Sequence, residues 1–218
     1  MLENSVSGND CVSEETHLVI MTKFPEPGKV KTRLGATIGN EASCKLHRAM
    51  VQHLLEKTLP NLDSVLVRFH VAGGTDSDIT NWLATDSWQR QAEGDLGLKM
   101  KHAIRTSLSE GANKVLIIGT DCPAITPEHI NVAVNALDVV DVSFTPALDG
   151  GYVMAGMKDI HSAMFDNIEW STESVLTLST ERLNTMGKTV KHLEALRDID
   201  TEADLEHAAE VLGGRFWE

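Results

Sequence analysis

Leu18-Val19-Ile20-Met21 is an apolar run that reads as a strand, and two residues on the chain continues Lys23-Phe24-Pro25-Glu26-Pro27-Gly28-Lys29-Val30-Lys31-Thr32-Arg33-Leu34. Residues 23–33 hold four cations and one acid, a local charge of +3. The whole chain carries −13, so the remainder carries −16. Two prolines and a glycine make a stiff corner that can hold backbone N–H groups and cations around a phosphate. A solvated basic loop is the plain alternative. The corner is not a Walker A loop, because Val30 follows Lys29 and no glycine stands at position 23. Nor is it G-x-G-x-x-G, which removes the main support for a dinucleotide fold.

Outward from this stretch, short apolar runs alternate with helical periods. That pattern lays helices over the faces of a largely parallel sheet. Leu18 to Met21, Val65 to Val71, Val115 to Ile118, Val139 to Phe144 and Tyr152 to Ala155 read as strands. Ala42, Leu46, Ala49, Met50 and Leu54 form one helical stripe, and Leu96, Met100, Ile104 and Leu108 another. Thr126 before Pro127, and Thr201 before Leu205, are helix starts, with Gly213 and Gly214 as a stop. The stretch Asp149 to Thr172 is the least regular and reads as a loop-rich insertion. Ligands of open α/β sheets bind at the carboxyl ends of strands, so residues just after each strand carry the functional expectation.

At 218 residues, and with roughly 150 per domain, the expectation is one α/β domain. It spans 18–218 behind a loosely attached, polar and acidic extension over 1–17. That extension has neither the basic start nor the apolar centre of a targeting peptide. The charge of −13 argues against nucleic acid and anionic membranes as partners. No apolar run reaches about 18 residues. Cys11, Cys44 and Cys122 form no C-x-x-C pair, and the nine histidines show no zinc spacing, which fits a reduced, cytoplasmic setting.

Gly119-Thr120-Asp121-Cys122-Pro123 delivers a carboxylate at a strand end, suited to a divalent cation or to capping the next turn. Asp149-Gly150-Gly151-Tyr152 permits close backbone approach to a ligand, or only a tight turn. Asp198 and Asp200 stand two apart, so both can face one site; helix-start electrostatics is the alternative. No G-x-S-x-G elbow occurs, and His102 and His129 read as surface.

Taken together and in order, Lys23 through Leu34, Gly94-Asp95-Leu96-Gly97 with Lys99-Met100, Gly119 through Pro123, Asp149 through Tyr152, Trp170-Ser171-Thr172 and Asp198-Ile199-Asp200-Thr201 resemble a bacterial family of small glycosyltransferase-A-type, nucleotide-diphospho-sugar transferase-like proteins. The resemblance runs over about residues 18–206. It is related by fold to the guanylyltransferases for molybdenum cofactor and phospholactate. It implies a three-layer α/β/α domain on a mixed, mostly parallel sheet. It also implies a transferase that takes a nucleotide or nucleotide-sugar donor and a small acceptor, working as a monomer or homodimer with Mg²⁺ or Mn²⁺. On this resemblance Lys23, Gly28, Lys29, Lys31, Arg33 and Thr120 belong to the phosphate site, and Gly94 and Asp95 face the base or ribose. Gly150, Gly151 and Tyr152 face the acceptor, Asp121 and Asp200 hold the metal, and Asp149 with Lys31 are catalytic. Many such glycosyltransferases carry D-x-D where this chain has Thr120-Asp121, a departure that leans toward the nucleotidyltransferases. Glycosyl transfer stands first, nucleotidyl transfer is the alternative, and an inactive nucleotide-binding protein of the same fold is the third reading.

Overall fold

The structure, a computed structural model, describes residues 15–218; Cys11 and the other residues up to 14 lie outside the described residues. Seven strands form one sheet: β1 (Thr16–Lys23), β2 (Val65–Ala72), β3 (Trp88–Arg90), β4 (Lys114–Gly119), β5 (Val142–Pro146), β6 (Tyr152–Met157) and β7 (Val190–His192). Their order is β3-β2-β1-β4-β6-β5-β7. β6 runs antiparallel to β4 and β5, and every other pairing is parallel. The mixed, mostly parallel sheet is therefore as expected.

Seven α-helices accompany it: α1 (Thr32–Ile38), α2 (Asn40–His53), α3 (Asp76–Leu83), α4 (Leu96–Ser109), α5 (Pro127–Ala136), α6 (Val175–Thr185) and α7 (Leu205–Leu212). β1 shows how the layers arise. Leu18 and Ile20 join the core under α2, α3 and α5, and Val19 joins the one under α4 and α6. Alternate residues of a strand face opposite sides, so a strand covered on both must be apolar throughout. A third cluster of Leu34, Leu46, Met50, Ile199 and Ala208 ties α1, α2 and α7 together. Among the described residues no helix is long and apolar enough to cross a membrane.

Several expectations shift. β1 begins at Thr16, because Thr16 and His17 already pair with β2 and β4 and are buried; they belong to the domain rather than to the extension. The fifth strand starts at Val142, not Val139. Val139 is 76% exposed, in the turn after α5, and Asp141 is fixed by Thr189, whose N–H it accepts at 2.8 Å. The stretch Asp149 to Thr172 is no insertion: it contains β6, and Met164 and Phe165 are buried under α4 and α6.

Gly150 shows how tightly the corner between β5 and β6 is built. Its φ is +92°, and a Cβ there would lie 2.3 Å from the carbonyl oxygen of Glu173. Gly150→Ala therefore combines a strained backbone with a clash, an expected cost of about 2 to 4 kcal/mol. Calorimetry should read a fall in Tm of roughly 5 to 15 °C; an unchanged Tm contradicts the account.

Candidate active site at the carboxyl ends of the strands

β1 and β4 end side by side, and because β6 is antiparallel its first residue, Tyr152, opens at the same edge. Hydrogen bonds between the ends hold them together. The Thr22 and Thr120 hydroxyls lie 3.1 Å apart in the interior. The Gln91 amide donates to the carbonyls of Thr22 and His70, at 2.9 and 3.0 Å, joining β1 to β2. His47 on α2 donates from Nε2 to the Lys23 carbonyl at 2.9 Å. Over these ends lies a cleft of about 590 Å³, within the range of small-molecule sites.

Asp200 arrives there by a route that spacing alone does not reveal. After β7 the chain follows β5, with the Leu193 and Leu196 N–H groups bonded to the Phe144 and Pro146 carbonyls. It then crosses the end of β4, where the Ile199 N–H donates to the Asp121 carbonyl at 2.8 Å. Thr201 and Asp204 lock the next turn, the Asp204 carboxylate accepting the Thr201 N–H and hydroxyl at 2.9 and 2.8 Å. Two acids 79 positions apart in the chain thus face one cation. Lys31 Nζ lies 3.0 Å from Asp121 and 3.9 Å from Asp200, and it donates to the Ile199 carbonyl. Arg33 contacts Asp200 at 2.6 Å.

Lys31 holds that place by an unusual backbone. It is a non-glycine residue in the left-handed region, φ 45°, ψ 46°, at the entrance to α1, a conformation that persists only where the surroundings enforce it. Its side chain is 3% exposed, whereas Asp121 keeps 55% of its side chain open to the cleft. Burial works to raise the Asp121 carboxyl. The Lys31 ammonium overrides it, with His47 and Lys23 adding to the effect, and holds the group below the ordinary carboxylate range. Burial lowers His47, against the pull of the Asp121 charge. Burial, then the neighbouring Asp149 charge, raises Asp198. Burial pushes the Cys122 thiol up to about 12, which makes it a packing residue rather than a nucleophile.

Of the residues singled out in the sequence, Lys23, Lys31, Arg33, Thr120, Asp121, Asp149, Gly151, Tyr152 and Asp200 line the cleft. Gly28, Lys29, Gly94, Asp95 and Gly150 do not. Lys29 is exposed, past the turn its N–H closes with the Glu26 carbonyl at 3.0 Å. Asp95 caps α4, its carboxylate accepting the Leu98 N–H at 2.8 Å. His47, Gln91 and Lys99 also line the cleft; of these, the sequence analysis quoted only Lys99, within a motif. Asp121 and Asp200, both outside the regular elements, meet on the Lys31 ammonium. Carboxylate oxygens are the ligand type of a magnesium ion, which takes one or two from the protein and completes its shell with water and phosphate oxygens. Among the described residues no group of three or more Asp, Glu, His or Cys is arranged to hold a metal alone.

This sheet order, with its cleft at the strand ends, defines the nucleotide-diphospho-sugar transferase fold. The chain belongs to the bacterial family described as "Uncharacterized protein conserved in bacteria (DUF2064)", whose profile matches residues 55–172. Among solved structures it is similar to a candidate nucleotide-diphospho-sugar transferase from Desulfovibrio desulfuricans G20. The two are 31% identical over 86% of this chain and 83% of the other, with a TM-score of 0.80. The fold is shared more distantly with 4-diphosphocytidyl-2C-methyl-D-erythritol synthase from Anaerococcus prevotii, at 12% identity, TM-score 0.58, and 91% and 97% of the two chains. It is shared likewise with CMP:2-keto-3-deoxy-manno-octonic acid synthetase in complex with CTP, at 11% identity, TM-score 0.55, and 91% and 98%. No curated protein matches the chain.

Proposed function

We propose that this protein is a transferase that uses a nucleotide-diphosphate donor, with glycosyl transfer from a nucleotide sugar as the first reading. One observation carries it: a buried lysine bridges Asp121, just past the end of β4, and Asp200 on the strap, inside a nucleotide-sized cleft. The similar Desulfovibrio protein, a candidate nucleotide-diphospho-sugar transferase, supports it. The acceptor oxygen attacks the anomeric carbon, the bond from that carbon to the phosphate oxygen breaks, and the nucleoside diphosphate leaves with the electron pair. The acceptor proton passes to the Asp149 carboxylate. Lys31 and Arg33 meet the charge that gathers on the leaving diphosphate, and they are already in position, so little reorganisation is needed. Lys23 and Thr120 complete the phosphate end. Asp121 and Asp200 would hold Mg²⁺ or Mn²⁺, which when bound supplies further positive charge at the leaving group.

Nucleotidyl transfer is the second reading, favoured by the single Asp121 where a D-x-D would serve sugar transfer. There the acceptor attacks the α-phosphorus and pyrophosphate leaves. Product analysis separates the two, since only one releases pyrophosphate.

The first test is a thermal-shift panel of GTP, CTP, UTP, ATP and common nucleotide sugars, with and without Mg²⁺ or Mn²⁺. A true ligand at 100 times its Kd adds about 2.7 kcal/mol, a rise of roughly 5 to 10 °C for a chain of this size. A flat response to the whole panel contradicts the proposal.

A further inference from the structure

The transfer chemistry leaves Trp170-Ser171-Thr172 without a task, although all three residues line the cleft. Ser171 stands in the left-handed region, with φ at +66°. Four other described residues that are not glycine share a positive φ: Lys31, Ser64, Ala84 and Asn167. Ala84 closes α3, where a left-handed residue commonly ends a helix. Asn167 is of a type that tolerates the region, and Ser64 lies in the bend before β2. Lys31 and Ser171 are the two that line the cleft, and Lys31 uses its backbone to carry an ammonium to the two aspartates. The same question arises at Ser171, because glycine would adopt that φ without the penalty of a Cβ.

The neighbours of Ser171 hold the strain in place. Trp170 packs against the core under α4 and α6. The Thr172 hydroxyl donates to the Glu169 carbonyl at 2.8 Å, reaching back across Ser171. Arg182 of α6 donates to the carbonyls of Ala163, Asp166 and Asn167, and the Leu176 N–H donates to the Gly150 carbonyl at 3.1 Å. Trp170 and Thr172 thus serve the wall itself. Ser171 is exposed, and its hydroxyl has no hydrogen-bond partner among the described residues. A side chain kept at a backbone cost, without a contact inside the protein, points to a contact with a ligand.

Position decides which part of a ligand reaches it. In a nucleotide sugar the diphosphate lies between the nucleoside and the sugar. With the diphosphate on Lys23, Lys31 and Arg33, one end of the molecule runs toward β2 and β3. A recess of about 400 Å³ there shares Gln91 and Lys99 with the main cleft and has room for a nucleoside. The other end runs toward the start of β6 and the stretch before α6, where Ser171 stands. Resting on the transferase reading, we infer that Ser171 is a donor-specificity residue, whose hydroxyl hydrogen-bonds a hydroxyl of the sugar that is transferred. The left-handed backbone is what presents it there.

The test is calorimetric titration of the full-length protein with Mg²⁺, comparing UDP with UDP-glucose, GDP with GDP-mannose and ADP with ADP-glucose. S171A keeps the backbone strain and removes the hydroxyl. In it, Kd for the nucleotide sugar that wild type binds most tightly should rise about three- to tenfold, the worth of one hydrogen bond, while Kd for the matching diphosphate stays within about twofold. S171G should show the same split and, relieved of the Cβ, a Tm higher by about 1 to 3 °C. Four results overturn the inference: an unchanged nucleotide-sugar Kd in either variant, an equal loss for the sugar and diphosphate forms, a lower Tm in S171G, or binding of diphosphates without any of the three nucleotide sugars. If wild type binds none of these compounds, it is the transferase reading that fails.

Discussion

Asp121→Asn should lower turnover by about 10²-fold or more and remove its dependence on Mg²⁺, while the fold remains intact. Asparagine keeps the size of the side chain, and the bond that holds the strap, Ile199 N–H to the Asp121 carbonyl, belongs to the backbone. What disappears is one negative charge 3.0 Å from Lys31. Removal of one preorganised electrostatic group in other active sites costs about 10² to 10³ in kcat. Initial rates titrated against Mg²⁺ provide the check, and a variant that retains the wild-type metal response refutes the assignment. The same substitution has a signature in acid. Because the folded carboxyl titrates below its unfolded value of about 3.9, the unfolded chain binds more protons as pH falls. The stabilisation is fully present above that value and is lost as pH drops through the lower, folded one. The Tm difference between wild type and D121N should thus be constant near neutrality and shrink below about pH 4.

Much of this arrangement was legible from residue patterns, for a physical reason. β1 and β4 are covered on both faces and need apolar residues at nearly every position, β2 buries Phe69 and Val71 on one face, and α2, α4 and α5 each bury one stripe, so their patterns survive in the sequence. The edge strands β3 and β7 have three residues each, too few to display a period. α1, α3 and α6 also escaped, although Thr75 and Asp78 form a capping box that marks the start of α3. The basic corner was visible as charge, but charge alone could not rank its members. Lys29 and Lys31 look alike on paper, and only the turn that throws one outward and the left-handed backbone that turns the other inward separates them. Asp200 was reachable through resemblance, while its meeting with Asp121 depends on the strap crossing the end of β4. His47 left no trace at all: it sits on α2 beside the buried stripe, and its place under Lys23 comes from packing between distant segments.

Lys31→Met is the more severe test, with an expected loss of 10²- to 10³-fold or more in kcat and little change in secondary structure. Methionine preserves most of the apolar stem that is buried in the wall, so packing is largely retained. The ammonium is what goes, and with it the charge that faces Asp121 at 3.0 Å and Asp200 at 3.9 Å and the donor to the Ile199 carbonyl. Arg33 cannot replace it, since its guanidinium contacts Asp200 from the open side and is 63% exposed, whereas the Lys31 side chain is 3% exposed beside Asp121. Two carboxylates would then stand beside each other without the ammonium that separates them. The Asp121 carboxyl, held low chiefly by Lys31 against the effect of burial, should titrate at a higher pH in the variant. Carbon-detected NMR of the aspartate carboxyls reads that shift without any substrate. A merely structural lysine would leave kcat within about threefold once the folded fraction is accounted for. The proposed role requires kcat to collapse and the Asp121 titration to move together; if the carboxyl shifts while turnover persists, Lys31 organises the site but does not serve the transfer.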